Sequence, residues 1–250
     1  MSNLAKYVYP AVIDDAIIYP DSDGKPMSDN TRQYQYIILL QVNLDDMFAE
    51  NPDVFVAADL LWYPLQGRPS ICAAPDTMVI FGRPKGHRGS YKQWAENNIA
   101  PQVAFEILSP SNSWKEMADK RKFYESYGVE EYYEYDPDNG TLEIWQHSDG
   151  RLRPVAFVGG WRSPLLGITL RLETDGALSV FYPDGSRFLP PAESRRMSRK
   201  AMAEAAQAHE RAEQEHERAE QEKARAEQAE QDKERLAAKL RALGIDPTTL

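Results

Sequence analysis

Two carboxylates in this sequence stand where packing alone would favour hydrocarbon. Glu106 lies within the apolar run Val-Ala-Phe-Glu-Ile-Leu, and Asp76 follows a proline at the head of Thr-Met-Val-Ile-Phe. A carboxylate buried without a partner is costly, so such groups are paired, metal-bound or protonated. On neighbouring strands the two would form an oxygen-rich pocket suited to Mg²⁺. The pattern is typical of metal-assisted hydrolysis of a phosphoester.

A lysine is the third candidate, on the helix predicted after the strand of Glu106. One side of that helix carries, at i, i+3, i+7 and i+10, Met117, Lys120, Tyr124 and Tyr127. Because the other three are apolar or aromatic, the spacing predicts that Lys120 points inward, whereas Lys122 falls on a solvated face. An inward lysine would orient the attacking water or neutralise developing charge. The alternatives are an ammonium that reaches solvent, or a pair with Glu116 one turn earlier.

Each of the other polar candidates has two alternative interpretations, one structural and one chemical. Asp76 could cap a turn instead of binding a metal, and Asp59 is either an accessory acid or an edge-facing residue. The basic cluster that follows the Asp76 strand is a candidate phosphate-contacting loop or an ordinary solvated loop. Its members are Arg83, Lys85, Arg88 and Lys92.

The elements that position these residues can be predicted from caps and turns. Ser113 and Glu116 form a Ser-x-x-Glu capping box at the start of the lysine-bearing helix, and Gly128 ends that helix. An earlier helix, capped by Asp29 or Asn30, is predicted from the helical period between Tyr34 and Met47, and the loop at 51–53 ends it. Strands are predicted at 54–63, 73–81 and around Glu106, with an excursion or a short irregular helix over 87–100.

A β meander is predicted after the lysine-bearing helix. The segment Asp136-Pro-Asp-Asn-Gly140 is a strong hairpin turn, and further Asp-Gly and Gly-Gly turns follow to about Phe188. The order of helix, three strands, helix and meander predicts an α+β fold, assigned to one domain over 1–192.

The segment beyond Pro190-Pro191 has a period of seven. His-Glu-Arg-Ala-Glu-Gln-Glu occurs at 209–215 and again at 216–222, which predicts a long helical arm over 193–243 and a flexible end at 244–250. Each repeat supplies one apolar position, an alanine, so weak self-association is favoured over a tight coiled coil. A homodimer or a partner helix would engage this arm.

Bulk composition narrows the class of protein. The 250-residue chain has a net charge of −10, almost all of it in residues 1–192, which counts against broad non-specific affinity for nucleic acid. A single cysteine excludes a disulfide framework and a Cys-rich zinc site. The sequence shows neither a signal peptide nor an apolar run of membrane-spanning length, so we expect a cytoplasmic protein without membrane contact.

The combined motifs resemble a known family. Pro75-Asp76, Glu106 thirty residues later, and the run Glu-Ile-Leu-Ser-Pro-Ser-Asn followed by Lys120-x-x-x-Tyr124-x-x-x-Gly128-Val129 are similar to the Uma family of restriction-endonuclease-like proteins. That family belongs to the PD-(D/E)XK nuclease-like superfamily. The resemblance implies a mixed β-sheet core flanked by helices, with the meander and the long C-terminal helix added to it.

The resemblance also implies roles. Asp76 and Glu106 would bind Mg²⁺ (or Mn²⁺), and Lys120 would complete the site of an endonuclease. Its substrate would be nucleic acid, with DNA favoured over RNA. The superfamily pattern has a lysine two residues after the glutamate, where this chain has Leu108, so the lysine is displaced onto the following helix. A polar residue of the first helix, Gln35 or Gln41, is expected near the site. The alternative is a non-catalytic binding or assembly protein that keeps the fold and engages a partner through its C-terminal helix.

Overall fold

The computed structural model describes residues 17–242, which form an α+β fold as predicted. The three helices are α1 (Thr31–Met47), α2 (Trp114–Tyr127) and α3 (Pro191–Ala242). The strands in chain order are β1 (Val54–Ala57), β2 (Trp62–Tyr63), β3 (Thr77–Phe81), β4 (Tyr91–Lys92), β5 (Val103–Ile107), β6 (Glu131–Asp136), β7 (Thr141–Ser148), β8 (Arg151–Pro154), β9 (Trp161–Arg162), β10 (Thr169–Leu172) and β11 (Leu178–Phe181).

The central sheet is mixed. Its strand order is β1-β3-β5-β6-β7-β8, and only β5 and β6 run parallel, since α2 carries the chain across from one to the other. A three-stranded sheet, β11-β10-β9, and a parallel pair, β2-β4, complete the described strands. The mixed sheet flanked by helices confirms the predicted fold class.

Helix α1 covers one face of the central sheet. Asn30, one of the two predicted cap residues, caps it by accepting a hydrogen bond from the backbone N–H of Gln33 at 2.9 Å. Its fully buried side chains Ile37, Leu40 and Leu44 belong to a core that includes Phe105 of β5. Alternation along β5 therefore turns Phe105 toward α1 and Glu106 to the opposite face.

Helix α2 lies on that opposite face. Ser113 caps its start by accepting from the N–H of Glu116 at 3.2 Å, and Gly128 ends it in the left-handed region at φ 105°. Tyr124 is fully buried in a second core with Trp62 and Tyr132. The Ser113 cap, the helix and the glycine stop are confirmed, whereas among the described residues the Glu116 side chain does not return a hydrogen bond to the Ser113 N–H. Helix α2 is thus placed directly over Glu106.

Two predicted strands are shorter than expected. The run 54–63 breaks into β1 and β2 because Asp59 adopts a left-handed φ of 48° and donates its N–H to the Pro75 carbonyl at 3.1 Å. The run 73–81 becomes regular only at Thr77, so Asp76 lies immediately before β3. The excursion over 87–100 holds β4 and one short 3₁₀ turn, Gln93–Ala95.

The chain divides into two compact units at Pro191 and Ala192. Helix α3 spans 52 residues, and nearly all of its described side chains are exposed, Leu236 at 60% among them. The expected flexible end at 244–250 lies outside the described residues. Over residues 17–242, no helix is both long enough and apolar enough to cross a membrane.

Candidate active site

Asp76 and Glu106 face each other across adjacent strands. The antiparallel register of β3 and β5 pairs Thr77 with Phe105, and one step further along the same register sets Asp76 opposite Glu106. Asp76 is anchored there because its Oδ2 accepts a hydrogen bond from the N–H of Ile107 at 2.6 Å. Both carboxylates are buried, and Glu106 keeps only 2% of its surface exposed.

Glu106 receives two charge-assisted hydrogen bonds from α2. The Lys120 ammonium donates to its Oε2 at 2.8 Å, and the buried Tyr124 hydroxyl donates to its Oε1. Lys120 and Tyr124 stand one turn apart, so a single helical face delivers both donors to one carboxylate. Lys120 thus points inward as predicted, and Lys122 is exposed.

The burial and mutual proximity of these charged groups shift the pKa values of Asp76 and Lys120. Burial raises the pKa of Asp76 well above its usual range, and the negative charge of Glu106 adds to the increase. Burial alone would lower the pKa of Lys120, but the charges of Glu106 and Asp76 and the hydrogen bond to Glu106 together outweigh it and raise the pKa. The lysine therefore stays charged at neutral pH.

A glutamine of α1 reaches the same peptide that anchors Asp76. The amide of Gln33 donates to the Ile107 carbonyl at 2.8 Å, and its Oε1 accepts from the N–H of Asp29 at 2.8 Å. The first-helix residue at the site is therefore Gln33, whereas Gln35 is exposed and no contact joins Gln41 to these groups among the described residues. The sequence does indicate that Gln33 points inward, because it precedes Ile37 by four residues and so lies on the buried face of the helix.

An acidic cavity of about 490 Å³ opens beside the pair. Its lining includes both Asp76 and Lys120, together with Asp59, the candidate accessory acid, and Glu116, the alternative partner predicted for the lysine. The acidic side chains that line it outnumber the lysines: they are Asp23, Asp29, Asp59, Asp76 and Glu116, against Lys25 and Lys120. Such a cavity attracts cations and repels a bare phosphodiester.

The chemistry of these donors suits a hard divalent ion. Asp76 and Glu106 offer carboxylate oxygens, which Mg²⁺ and Mn²⁺ prefer. Across residues 17–242, no three His, Cys, Asp or Glu side chains gather closely enough to hold a metal ion by themselves. A bound ion would thus take two protein carboxylates and complete its shell with water or substrate, which is the usual habit of Mg²⁺.

The predicted basic cluster is engaged elsewhere. Arg83 and Arg88 both bind Glu96, each at 2.7 Å, and Lys85 binds Asp45 at 2.7 Å. Lys92 lies over the ring of Tyr19, with 5.5 Å between its ammonium and the ring centroid. None of the four lines the acidic cavity. The structure therefore does not bring this cluster to the carboxylates.

Fold and site together define a protein of the restriction-endonuclease-like class. The family model of Uma2, described as "Putative restriction endonuclease", matches residues 24–179, more than half of the chain. The chain belongs to the Uma2 family, which confirms the resemblance drawn from its motifs and supports a nuclease activity in general terms.

The chain is also similar to a solved structure. A solved structure, that of a "putative nuclease belonging to DUF820 from Anabaena variabilis ATCC 29413", is similar to this chain with 16% identity and a TM-score of 0.37, covering 52% of this chain and 69% of that one. No curated protein matches the chain.

Proposed function

We propose that this chain is a metal-dependent endonuclease that hydrolyses phosphodiester bonds, with DNA as its substrate. One observation carries the proposal: two buried carboxylates on neighbouring strands face each other, and the Lys120 ammonium lies 2.8 Å from one of them. Burying two carboxylates side by side, next to a half-buried lysine, costs stability, so a structural explanation alone is weak. Clusters of this kind, with strongly perturbed pKa values beside a cavity, are typical of active sites.

The roles follow from the contacts of each side chain. Asp76 and Glu106 would hold Mg²⁺ or Mn²⁺, which when bound lowers the pKa of a water and stabilises charge on a phosphoryl oxygen. Lys120 would orient the attacking water or neutralise charge that develops on the phosphate. Its tether to Glu106 fixes the position of the ammonium, and its raised pKa keeps it charged.

The acidity of the cavity supports the need for a cation. A phosphodiester carries one negative charge, and the carboxylates around Asp76 would repel it in a partly buried, low-dielectric site. Binding of a divalent ion reverses that local charge balance. The proposed order is therefore metal first, followed by the substrate.

The direct test is plasmid cleavage in Mg²⁺ or Mn²⁺ by the wild type, Glu106→Gln and Lys120→Met. We expect both variants to lose activity, by a factor of about 100 or more if each removes a positioned catalytic group. Lys122→Met is the matched control because it changes an exposed lysine of the same helix, and it should cleave like the wild type. Equal cleavage by all four proteins would contradict the assignment.

A second candidate is a non-catalytic nuclease-fold protein that assembles with a partner through α3. The observation in its favour is the exposure of nearly every described side chain of that helix. Calorimetric titration with Mn²⁺ separates the two proposals. Binding that is lost in Glu106→Gln supports the nuclease, whereas absence of binding to the wild type supports the assembly protein.

A further inference from the structure

Trp114 is an exposed tryptophan in the first turn of α2. It retains 84% of its surface, whereas Trp62 and Trp145 are buried and Trp94 and Trp161 are half-buried. All five tryptophans of the chain lie within residues 17–242, so Trp114 is the one that folding leaves in water. A large aromatic surface held in water on a rigid helix favours a ligand with an apolar face.

Arg121 lies on the same face of α2, seven residues later. Its guanidinium stacks on the ring of buried Trp145, with 4.6 Å between Cζ and the ring centroid. Over the described part of the chain, Arg121 forms no hydrogen bond or ion pair, unlike Arg83 and Arg88, which are neutralised by Glu96. The cation is therefore held in place with its N–H donors available to an anion.

A groove of about 370 Å³ joins the two side chains. Trp114 and Arg121 line it together with Trp145 and Pro154, and Glu143 is its one acidic residue. A second cavity that Trp114 also lines has Glu134, Asp136 and Glu143 in its wall and so repels anions. An anionic ligand is thus confined to the Arg121 side of the groove.

We propose that Trp114 and Arg121 form a nucleotide subsite for single-stranded nucleic acid, with a base stacked on Trp114 and a phosphate bound by Arg121. An indole can stack only on a base whose face is uncovered, which favours a single strand over an intact duplex. The charge of Arg121 and the exposed indole match the two halves of one nucleotide. The inference rests on the proposed nuclease function for its choice of ligand.

The test is fluorescence anisotropy of a labelled oligothymidylate in EDTA, which allows binding without cleavage. Trp114→Ala should weaken binding by about 5- to 150-fold, the range for loss of one stacked base, and Trp114→Phe should restore most of it. Arg121→Gln should lower the slope of log K against log salt by about 0.7, the value for one phosphate contact on a single strand. Trp114→Ala should leave that slope unchanged.

Three controls sharpen the outcome. Lys122→Gln changes an exposed neighbouring cation and should alter neither the affinity nor the salt slope. Glu143→Gln removes the acid of the groove and should tighten binding. A duplex of the same sequence should respond weakly to Trp114→Ala. Wild-type affinity and slope in both Trp114→Ala and Arg121→Gln, or failure of the intact protein to bind the oligonucleotide, would overturn the subsite.

The same measurements separate this inference from the proposed function. If the protein binds the oligonucleotide through Trp114 and Arg121 yet cleaves no nucleic acid in Mg²⁺ or Mn²⁺, the nuclease assignment fails and the subsite stands. If it cleaves and neither substitution alters binding, the subsite fails and the nuclease stands.

Discussion

At the scale of single residues, Tyr124 shows how the site is held together. Its hydroxyl donates to Oε1 of Glu106, and burial, with the charge of Glu106, raises the pKa of the phenol so that it remains a donor. Tyr124→Phe keeps the ring and removes only this bond. We expect the free energy of unfolding to fall by about 1–3 kcal/mol, because a buried carboxylate oxygen loses its partner.

The same change should weaken metal binding. Groups that orient a metal ligand affect metal affinity by about 10- to 100-fold, so calorimetric titration of Tyr124→Phe with Mn²⁺ should show a loss in that range. Tyr34→Phe is the control, since Tyr34 is exposed and its hydroxyl forms no hydrogen bond within the described residues. Unchanged stability and metal affinity in Tyr124→Phe would show that Lys120 alone positions Glu106.

Asp76 allows a prediction about pH. Because its native pKa is raised above the usual 3.8, the native state holds a proton that the unfolded chain releases. Its contribution to stability therefore declines as the pH rises from about 4 toward the native pKa. In EDTA, Asp76→Asn should melt at a higher temperature than the wild type, with a difference that grows from pH 4 to neutrality.

The control for that experiment is Asp29→Asn, which should change the melting temperature in the opposite direction. Hydrogen bonds from Ser109 and Ser111 lower the pKa of Asp29, so its carboxylate stabilises the native state above its usual pKa and loses that effect as the pH falls. Asp29→Asn should therefore lower the melting temperature at neutral pH. A gain for Asp29→Asn, or a loss for Asp76→Asn, would contradict the assigned environments.

At the scale of elements, the buried carboxylate of Glu131 is a structural counterpart to Glu106. It begins β6 and accepts hydrogen bonds from the Tyr133 hydroxyl at 2.7 Å, the Ser163 hydroxyl at 2.5 Å and the Leu165 N–H at 2.9 Å. These contacts tie the central sheet to the turn between β9 and β10. No lysine or arginine pairs with Glu131 among the described residues, and it does not line the acidic cavity.

Glu131→Gln should therefore affect stability and not chemistry. The amide keeps the shape but loses the charge-assisted bonds, so we expect unfolding in urea to cost about 1.5–3 kcal/mol less than in the wild type. Cleavage per folded molecule and Mn²⁺ affinity should be unchanged. A selective loss of cleavage in the folded variant would instead connect Glu131 to the site.

The elements also show how far the sequence predicts the structure. The strand of Glu106 and the helix of Lys120 follow from local signals: an apolar run, the Ser113 cap and the Gly128 stop. The break at Asp59 could not be foreseen, because the bond that supports it joins Asp59 to Pro75, sixteen residues away in sequence. The pairing of β2 with β4 is likewise a tertiary contact without a local signal.

Charged side chains show the same limit. Helical spacing predicted the direction of Lys120 because its neighbours on one face are apolar. The partners of Arg83 and Arg88 could not be predicted, since Glu96 reaches them only after the chain turns through β4. Sequence reasoning thus located the carboxylates and the lysine, while the state of each exposed cation required the fold.

At the scale of the whole molecule, charge and burial differ between the two units. Residues 1–192 carry the negative excess, whereas acidic and basic side chains balance over 193–243. Helix α3 carries isolated ion pairs on its own surface, such as Lys200–Glu204 at 3.8 Å. Exposed pairs of this kind contribute little and are screened by salt.

The end of the globular unit is anchored to α1 before α3 begins. The side chain of Asn43 on α1 donates to the Leu189 carbonyl at 3.0 Å and accepts from the Leu189 N–H at 3.2 Å. Tyr182 donates to the same Asn43 side chain at 2.9 Å. The last segment of the unit is thus anchored to α1 by contacts that do not involve residues beyond 192.

Deletion of residues 193–250 should leave this unit folded. We expect circular dichroism to lose helical signal, while the cooperative thermal transition of the remaining unit stays within a few degrees of its position in the full chain. Cleavage in Mg²⁺ should also survive, because every group assigned to the site lies before residue 125. If the transition collapses on truncation, the helix belongs to the cooperative core. If the fold persists but cleavage is lost, α3 supplies something the site needs, and assembly through that helix becomes part of the mechanism.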